Sequence, residues 1–228
     1  MTFPSRIERF RGIVERVVKT ASPDIVLSII QQESNGVIGR TANRHAAAGG
    51  YARGLMQVIG LVTNDYNRVH HTDYDHISNM GGKGMSNAEK QIRVGVWLFE
   101  RQLQNVRRHM LRWAPSPQTA DVVRIADCAY AVGWGNVRKK LDILRSEGFN
   151  LTFASLVDRF PNWGSVVKKG RRHWINRPLH HAQTVWTRAH TNDHGEEKYC
   201  DTPNDANTTM IVLLIGLVVG VAVYWLSR

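Results

Sequence analysis

The sequence has few cysteines and begins without an apolar leader. Cys128 and Cys200 are the two cysteines among 228 residues, too few for a disulfide framework or a four-cysteine metal site. No apolar stretch follows the first charged residues, so no secretory signal peptide is expected. With 43% hydrophobic and 21% charged residues, the composition excludes a disordered chain, a collagen and a polytopic membrane protein. A hydrophobic core must therefore stabilise the soluble part.

Acidic residues are scarce in one part of the chain. Overall, 30 Lys and Arg against 19 Asp and Glu give a net charge of +11, and residues 101–190 alone carry 16 basic and 5 acidic side chains. In the segment 138–188, basic residues alternate with Trp163, Trp174 and Trp186. This pattern predicts contact with an anionic polymer, either nucleic acid or acidic lipid or the cell wall itself. A merely solvated basic face is the alternative.

The last twenty residues differ from the rest in having almost no charge. Residues 210–226 form an uncharged apolar run, whose 17 residues as a helix would extend roughly 26 Å. We predict one transmembrane helix at 209–226 in a lipid bilayer, preceded by a polar linker at 191–208. A buried core helix is the alternative. Gly216 and Gly220 are spaced for close approach of two such helices, which predicts a dimer.

Sustained alternation of apolar and polar residues is missing from the soluble part, where the apolar spacing predicts helices. Four helices are predicted, and their first turns contain Ser5, Ser22, Ser86 and Thr119. The first and third start with the S-x-x-E spacing of a capping box. The second is apolar almost all round and ends near Glu33, as expected of a helix buried on most sides. The stretches 34–54 and 60–85 are predicted to be long loops that carry function.

Glu33 closes this apolar helix and precedes a loop of small residues. We expect its carboxyl group at the edge of a cleft with apolar walls. A glutamic acid that keeps its proton in such a place can serve as a general acid toward a glycosidic oxygen. A solvated residue at a helix end is the alternative for this position taken alone.

Four short motifs follow one another along the chain: QQES at 31–34, GLMQ at 54–57, QIRVGVWL at 91–98 and AYAVGWGNV at 129–137. With these motifs, the chain resembles the soluble lytic transglycosylase family over roughly 25–137. The resemblance implies an all-α, lysozyme-like domain at 1–150, with 151–190 as its basic C-terminal part. It also implies cleavage of peptidoglycan glycan strands at the β-1,4 bond between N-acetylmuramic acid and N-acetylglucosamine, which leaves a 1,6-anhydro sugar. Neither a cofactor nor a metal is expected.

The resemblance also assigns roles to individual residues. Glu33 matches the single catalytic acid, and the residues matching the sugar-binding positions are Ser34, Gly54, Leu55, Met56, Gln57 and Tyr130. In the implied mechanism, Glu33 protonates the leaving oxygen while the N-acetyl group of the substrate stabilises the anomeric centre. Glu33 then removes a proton from the C6 hydroxyl of the muramic acid, which closes the anhydro ring without a second carboxylate.

The chain departs from the family pattern at three places. Gly54 follows Glu33 by 21 residues, which is longer than usual and predicts an extra loop at 40–50. Ala131 stands where the family has asparagine. Asp65, Asp73 or Asp75 could place a carboxylate on the far side of the sugar, which would convert the reaction into hydrolysis, as in goose-type lysozymes. A domain that has kept the fold and lost catalysis, serving as a structural or nucleic-acid-binding protein, is a further alternative.

Two other groups of residues have ordinary explanations. Potential metal ligands are dense between 70 and 76, where His70, His71, Asp73, Asp75 and His76 occur. Loop clusters of this kind are usually solvated, so no metal site is predicted. Cys128 lies within an apolar helical pattern and is interpreted as a core residue.

A wall-cleaving domain with a C-terminal anchor and no signal peptide is similar to the transglycosylases with which tail-less, membrane-containing bacteriophages penetrate the cell wall. This similarity implies a location in the internal membrane of a virion and a role in local opening of the wall for genome delivery. A bacterial enzyme of the cell envelope, membrane-bound or associated with conjugation, is the alternative.

Overall fold

The computed structural model describes residues 3–41, 51–161, 163, 165–168, 171–174 and 177–191. All of them belong to one unit, Met1–Gly195, and a second unit, Glu196–Arg228, contains none of them. The predicted transmembrane helix at 209–226, with Gly216 and Gly220, therefore lies outside the described residues, as does the linker beyond Thr191. Among the helices of the described ranges, none is both long and apolar enough to cross a bilayer.

Helices make up most of the regular structure in the described ranges. They are α1 (Ser5–Glu8), α2 (Arg11–Val17), α3 (Pro23–Ser34), α4 (Gly60–His70), α5 (Met85–Met110), α6 (Thr119–Val132), α7 (Trp134–Ser146), α8 (Phe153–Arg159) and α9 (Arg177–His190), with a π-helical turn at His76–Met80. The strands β1 (Ser165–Lys168) and β2 (Arg171–Trp174) form an antiparallel hairpin. The expected helical architecture is thus confirmed for the main body, and the hairpin is an addition to it.

Neither predicted capping box forms. The first predicted helix is divided into α1 and α2 at Phe10, and the side chains of Ser5–Glu8 make no cap at its start. The third predicted helix begins as α5 without a side-chain cap from Ser86–Glu89. Both helices begin at or before the predicted cap serine, which therefore lies inside its helix. The glutamates of the two boxes bind arginines three or four residues further along the chain, Arg11 and Arg93.

Helix α3 is the buried helix that the sequence predicts. Every residue from Ile25 to Gln31 is buried, and the helix starts at Pro23, which suits its first position. The segment before it is fixed by Glu100 of α5, whose Oε1 accepts hydrogen bonds from the backbone N–H groups of Lys19, Thr20 and Ala21 at 2.6, 2.6 and 3.1 Å. Because both its core face and its start are fixed, α3 holds Glu33, its last residue but one, in a defined place.

The prediction of a long loop at 60–85 is wrong, since this stretch contains α4 and the π-helical turn. Helix α4 buries only Thr63 and Tyr66, so its apolar pattern is too sparse to be read from the sequence. Asp75 begins the π-helical turn by accepting hydrogen bonds from the backbone N–H groups of Ile77 and Ser78 at 3.0 and 2.6 Å. The π-helical turn is thus stabilised by short-range polar bonds, which leave no apolar periodicity in the sequence.

Part of the basic segment belongs to the core. Helix α9 packs against α3 and α6, and its buried apolar residues are Leu179, Ala182, Val185 and Ala189. The thiol of Cys128 on α6 donates to the carbonyl of Pro178 at 3.4 Å, which agrees with its interpretation as a core residue. The core of this unit therefore extends past position 150 and includes a helix that approaches the end of α3.

Candidate active site

Glu33 lies in the last turn of α3, and 19% of its side chain is exposed. The chain turns sharply after it, because Asn35 and Gly36 have positive φ angles of 52° and 76°. At Gly36 a Cβ atom would lie 2.8 Å from the carbonyl oxygen of Arg6, so the close approach of α1 requires glycine here. This turn leaves the carboxyl group at the edge of the helix, half-buried and still in reach of solvent.

A buried histidine and a buried aspartate lie behind Glu33. Nε2 of His181 is 3.1 Å from Oε1 of Glu33, and Nδ1 of His181 is 2.6 Å from Oδ2 of Asp127. Asp127 is 1% exposed and His181 is 8% exposed. The Nδ1 contact has hydrogen-bond geometry, whereas the Nε2 contact is an ion pair without hydrogen-bond alignment. The three side chains thus form a chain from the buried side of α6, through α9, to the edge of α3.

The charge on His181 follows from its two neighbours. Burial alone lowers the pKa of a histidine, but here Asp127 and Glu33 outweigh it and raise the pKa of His181 to about 10. The imidazole is therefore a cation at neutral pH, with one carboxyl group against each nitrogen. A buried polar cluster thus adjoins Glu33, where the sequence predicts only apolar walls.

The GLMQ turn is held by Tyr130. The Tyr130 hydroxyl donates a hydrogen bond to the carbonyl of Met56, and the ring packs edge-on against Phe99 with 6.2 Å between centroids. Burial, and then the nearby charges of Glu33 and Asp127, raise the pKa of Tyr130 well above its usual value. The structure thus brings Tyr130, Met56 and Glu33 into one neighbourhood, with the tyrosine as a neutral hydrogen-bond donor.

The other residues of the GLMQ turn are held by burial in the core and by hydrogen bonds of Gln57. Leu55 and Met56 are buried, 0% and 1% exposed. Gln57 has a φ of 48°, and its side-chain amide donates to the carbonyl oxygens of Arg40 and Gly54 at 3.0 and 2.7 Å. The turn is thus stabilised mainly by its own polar bonds and by the core beneath it.

Gln91 joins the GLMQ turn to the surrounding loops. Its side-chain oxygen accepts from the N–H groups of Gly39 and Leu55 at 3.3 and 3.0 Å, and its nitrogen donates to the carbonyls of Asn79 and Gly82 at 3.0 and 2.9 Å. The side chain is 1% exposed, so it is a structural connector beneath the site. In the sequence, Gln91 is recognisable only as part of a motif.

Ser34 lies beneath the site. It is 0% exposed, and its hydroxyl donates to the carbonyl of Ile30 at 3.0 Å and accepts from the N–H of Gly36 at 3.2 Å. The side chain therefore shapes the turn that follows Glu33. Its predicted contact with the sugar stays a prediction.

The histidine-rich stretch has partners of its own. His76 bridges the carbonyl of Tyr51 (2.8 Å) and the hydroxyl of Thr63 (3.1 Å), and His70 stacks against Tyr66 with 4.3 Å between centroids. In the described part of the chain, no group of three or more side chains is arranged for a metal ion. Asp75 serves as a cap of the π-helical turn.

A family model described as the transglycosylase SLT domain matches residues 15–153. The chain belongs to this family. The match includes Glu33, the GLMQ turn and Tyr130, and it implies lytic transglycosylase-type activity on peptidoglycan at the level of the family. A comparison with curated proteins gave no match.

Two residues of the candidate site could not be identified from the motifs. Asp127 interrupts the apolar face of α6, and a charged residue at such a position signals a buried polar partner. His181 lies 148 positions beyond Glu33 in the chain and outside the matched residues. No local spacing connects His181 to Glu33, because only the packing of α9 on α3 and α6 brings them together.

Proposed function

We propose that the protein is a lytic transglycosylase that cleaves the β-1,4 bond between N-acetylmuramic acid and N-acetylglucosamine, with Glu33 as its single catalytic acid and base. The observation that supports this most strongly is that Glu33 is in reach of solvent, with 19% of its side chain exposed, whereas the carboxyl group of Asp127 behind it is buried. Asp127, on its other side, is 1% exposed and bound to His181. It is therefore unable to hold an attacking water on the substrate.

The proposed reaction conserves its protons. Glu33 gives a proton to the glycosidic oxygen as the bond to the anomeric carbon breaks, and the carbonyl oxygen of the substrate's N-acetyl group bonds to that carbon. The C6 hydroxyl of the muramic acid then attacks the anomeric carbon and displaces the acetamido oxygen. Glu33 takes the hydroxyl proton and returns to its starting state. Water is not consumed, so one carboxylate is sufficient.

Two of the three carboxylates considered for hydrolysis are held by other contacts. Asp65 pairs with Arg68 at 3.1 Å and with Arg101 at 3.6 Å, and Asp75 is bound within its own turn. Asp73 is exposed in the stretch after α4. These contacts favour transglycosylation over hydrolysis.

The proposal extends to the place of action. A membrane anchor at 209–226 would hold the enzyme at a bilayer, and we propose the internal membrane of a bacteriophage virion, where the enzyme opens the wall for genome delivery. The uncharged run itself supports the anchor. For the basic segment 138–188, Arg138 and Lys139 are exposed on α7 and suit an anionic partner. Trp163 is 9% exposed, so it is poorly placed to stack on a nucleic-acid base.

The test is digestion of cell-wall sacculi by the full-length protein in water enriched in ¹⁸O, with products identified by mass. Transglycosylation gives anhydro-muropeptides without ¹⁸O. Hydrolysis gives reducing ends that contain ¹⁸O. This result would refute the proposed reaction but would still identify the protein as an enzyme that cleaves peptidoglycan. In the hydrolysis case, Asp65→Asn and Asp73→Asn would identify the second carboxylate. Release of no product at all would favour a protein that has kept the fold without catalysis.

A further inference from the structure

His181 and Asp127 are buried polar residues for which the proposed reaction has no role. The ion pair of His181 Nε2 with Glu33 Oε1, at 3.1 Å, places a cation against one oxygen of the carboxyl group. Asp127 holds the opposite nitrogen at 2.6 Å. Burying three ionisable groups is costly unless they compensate one another, so this cluster needs an explanation beyond packing.

The donor and acceptor inventory limits which proton arrangements are possible. A neutral imidazole has one donor and one acceptor nitrogen, whereas an ionised carboxylate only accepts. With both carboxylates ionised, His181 must therefore carry two protons. With Glu33 protonated on the oxygen that faces away from His181, the imidazolium can still bind the other oxygen. The pair of His181 and Asp127 can thus bind Glu33 both before and after Glu33 gives up its proton.

We propose that His181, held in place by Asp127, is a positioning residue that binds one oxygen of Glu33, leaves the other for the substrate, and balances the negative charge that Glu33 acquires on protonating the glycosidic oxygen. This inference rests on the proposed role of Glu33 as the catalytic acid. The attraction between imidazolium and carboxylate is strongest once the proton has left. It therefore stabilises the transition state more than the ground state, as catalysis requires.

The other groups that face this cluster do not titrate in the range of an ordinary assay. On α6, burial raises the pKa of both Tyr130 and Cys128 well above their usual values, with a further contribution from nearby carboxylates. On α9, Arg188 is a permanent cation whose Nη1 donates to Oε1 of Gln32, the neighbour of Glu33, at 2.6 Å. The pH dependence of catalysis therefore reports on the Glu33 cluster itself.

Removing the imidazolium has two consequences of opposite sense. A nearby cation favours the ionised form of an acid, so removal of the cation favours the protonated form. The alkaline limb of the pH–rate profile of His181→Gln should move up by about one pH unit or more. The plateau rate should fall on the order of tenfold or more, since the developing carboxylate loses its counter-charge. A purely structural role would lower the rate without moving the limb.

The experiment measures sacculus digestion by the full-length protein between pH 4 and 10 for the parent, His181→Gln and His109→Gln. His109 is the matched control, because it is a buried histidine, 7% exposed, with Nε2 at 3.2 Å from Oδ1 of Asp142. We expect an upward shift of the limb for His181→Gln and the parental limb for His109→Gln. A parental limb in folded His181→Gln would overturn the inference.

Asp127→Asn provides a second test if His181→Gln does not fold. It removes the negative charge behind His181 and so weakens its hold on a proton, which predicts an upward shift of the same limb, smaller than that of His181→Gln. An unshifted profile would overturn the inference here too. Glu33→Gln, assayed alongside, separates the two proposals: if it remains active, the proposed role of Glu33 fails, whereas if it is inactive and the other profiles are parental, only the role of His181 fails.

Discussion

Gln91 offers a test of how the candidate site is supported. Its side chain bonds to four backbone groups, those of Gly39, Leu55, Asn79 and Gly82, in three separate segments. Replacement by methionine keeps a similar length and volume and removes every polar atom. Gln91→Met thus isolates the contribution of these hydrogen bonds with little change of packing.

The expected loss can be estimated from the number of bonds. Each lost hydrogen bond lowers the free energy of unfolding by about 1 kcal/mol, and more where a buried group is left without a partner. Gln91→Met should therefore lower the free energy of unfolding by about 4 kcal/mol, a large part of the total stability of an ordinary domain. The matched control is Gln102→Met on the same helix. Gln102 is 7% exposed and accepts one long bond from Asn105 at 3.4 Å, so its replacement should have an effect of about 1 kcal/mol or less.

The assay is urea unfolding of the full-length protein followed by circular dichroism. With a slope of about 2 kcal/mol per molar urea, a loss of about 4 kcal/mol moves the midpoint down by about 2 M. Equal midpoints for Gln91→Met and Gln102→Met would refute the role of Gln91 as the connector of the turn.

Three further predictions concern the same region. Gly54→Ala should lower the free energy of unfolding by about 3 kcal/mol, since the new Cβ would lie 2.8 Å from Cγ of Gln91. Gly148 has a similar φ angle and open space around it, so Gly148→Ala should lower the free energy of unfolding by about 1 kcal/mol, and urea unfolding distinguishes the two variants. Tyr130→Phe leaves the Met56 carbonyl without its donor and should lower the free energy of unfolding by about 1–3 kcal/mol, with parental stability as the contradicting result. The pKa of His181 is raised to about 10 from an ordinary value of 6.5. The contribution of His181 to stability is therefore complete below pH 6.5 and is lost as pH rises toward 10, with a slope of at most about 1.4 kcal/mol per pH unit. Urea midpoints measured against pH should decline less in His181→Gln than in the parent, and an equal decline would contradict this prediction.

The parts of the fold that the sequence predicts well are those with a strong apolar pattern. Helix α3 buries nearly every residue, and α6 starts at Thr119 as predicted. The sequence predicts a loop where α4 lies, because this helix buries only two residues. The capping boxes do not form because both helices begin at or before the predicted cap serine. Periodicity thus reveals burial well and polar bonding poorly.

For the site, the sequence identifies the part that lies within short motifs. Glu33, the GLMQ turn and Tyr130 were found in this way, and the structure brings Tyr130 and the turn together through one hydrogen bond. It could not predict His181, because the contact with Glu33 depends on the packing of a helix 148 residues away in sequence. Asp127 carried a signal as a charged residue on an apolar face, but its partner could only be identified in three dimensions.

The central claim is that Glu33 gives and reclaims the proton of the reaction. Its most direct test is the initial rate of anhydro-muropeptide release from sacculi by the parent, Glu33→Gln and Glu147→Gln in the full-length protein, with circular dichroism to verify folding. Glu147 is the control glutamate, since it pairs with Arg159 at 2.6 Å and is remote from α3 in the chain. We expect a loss of at least about 100-fold for Glu33→Gln and a parental rate for Glu147→Gln. A folded Glu33→Gln that keeps more than about a tenth of the parental rate would contradict it, because general acid catalysis contributes about 100-fold or more.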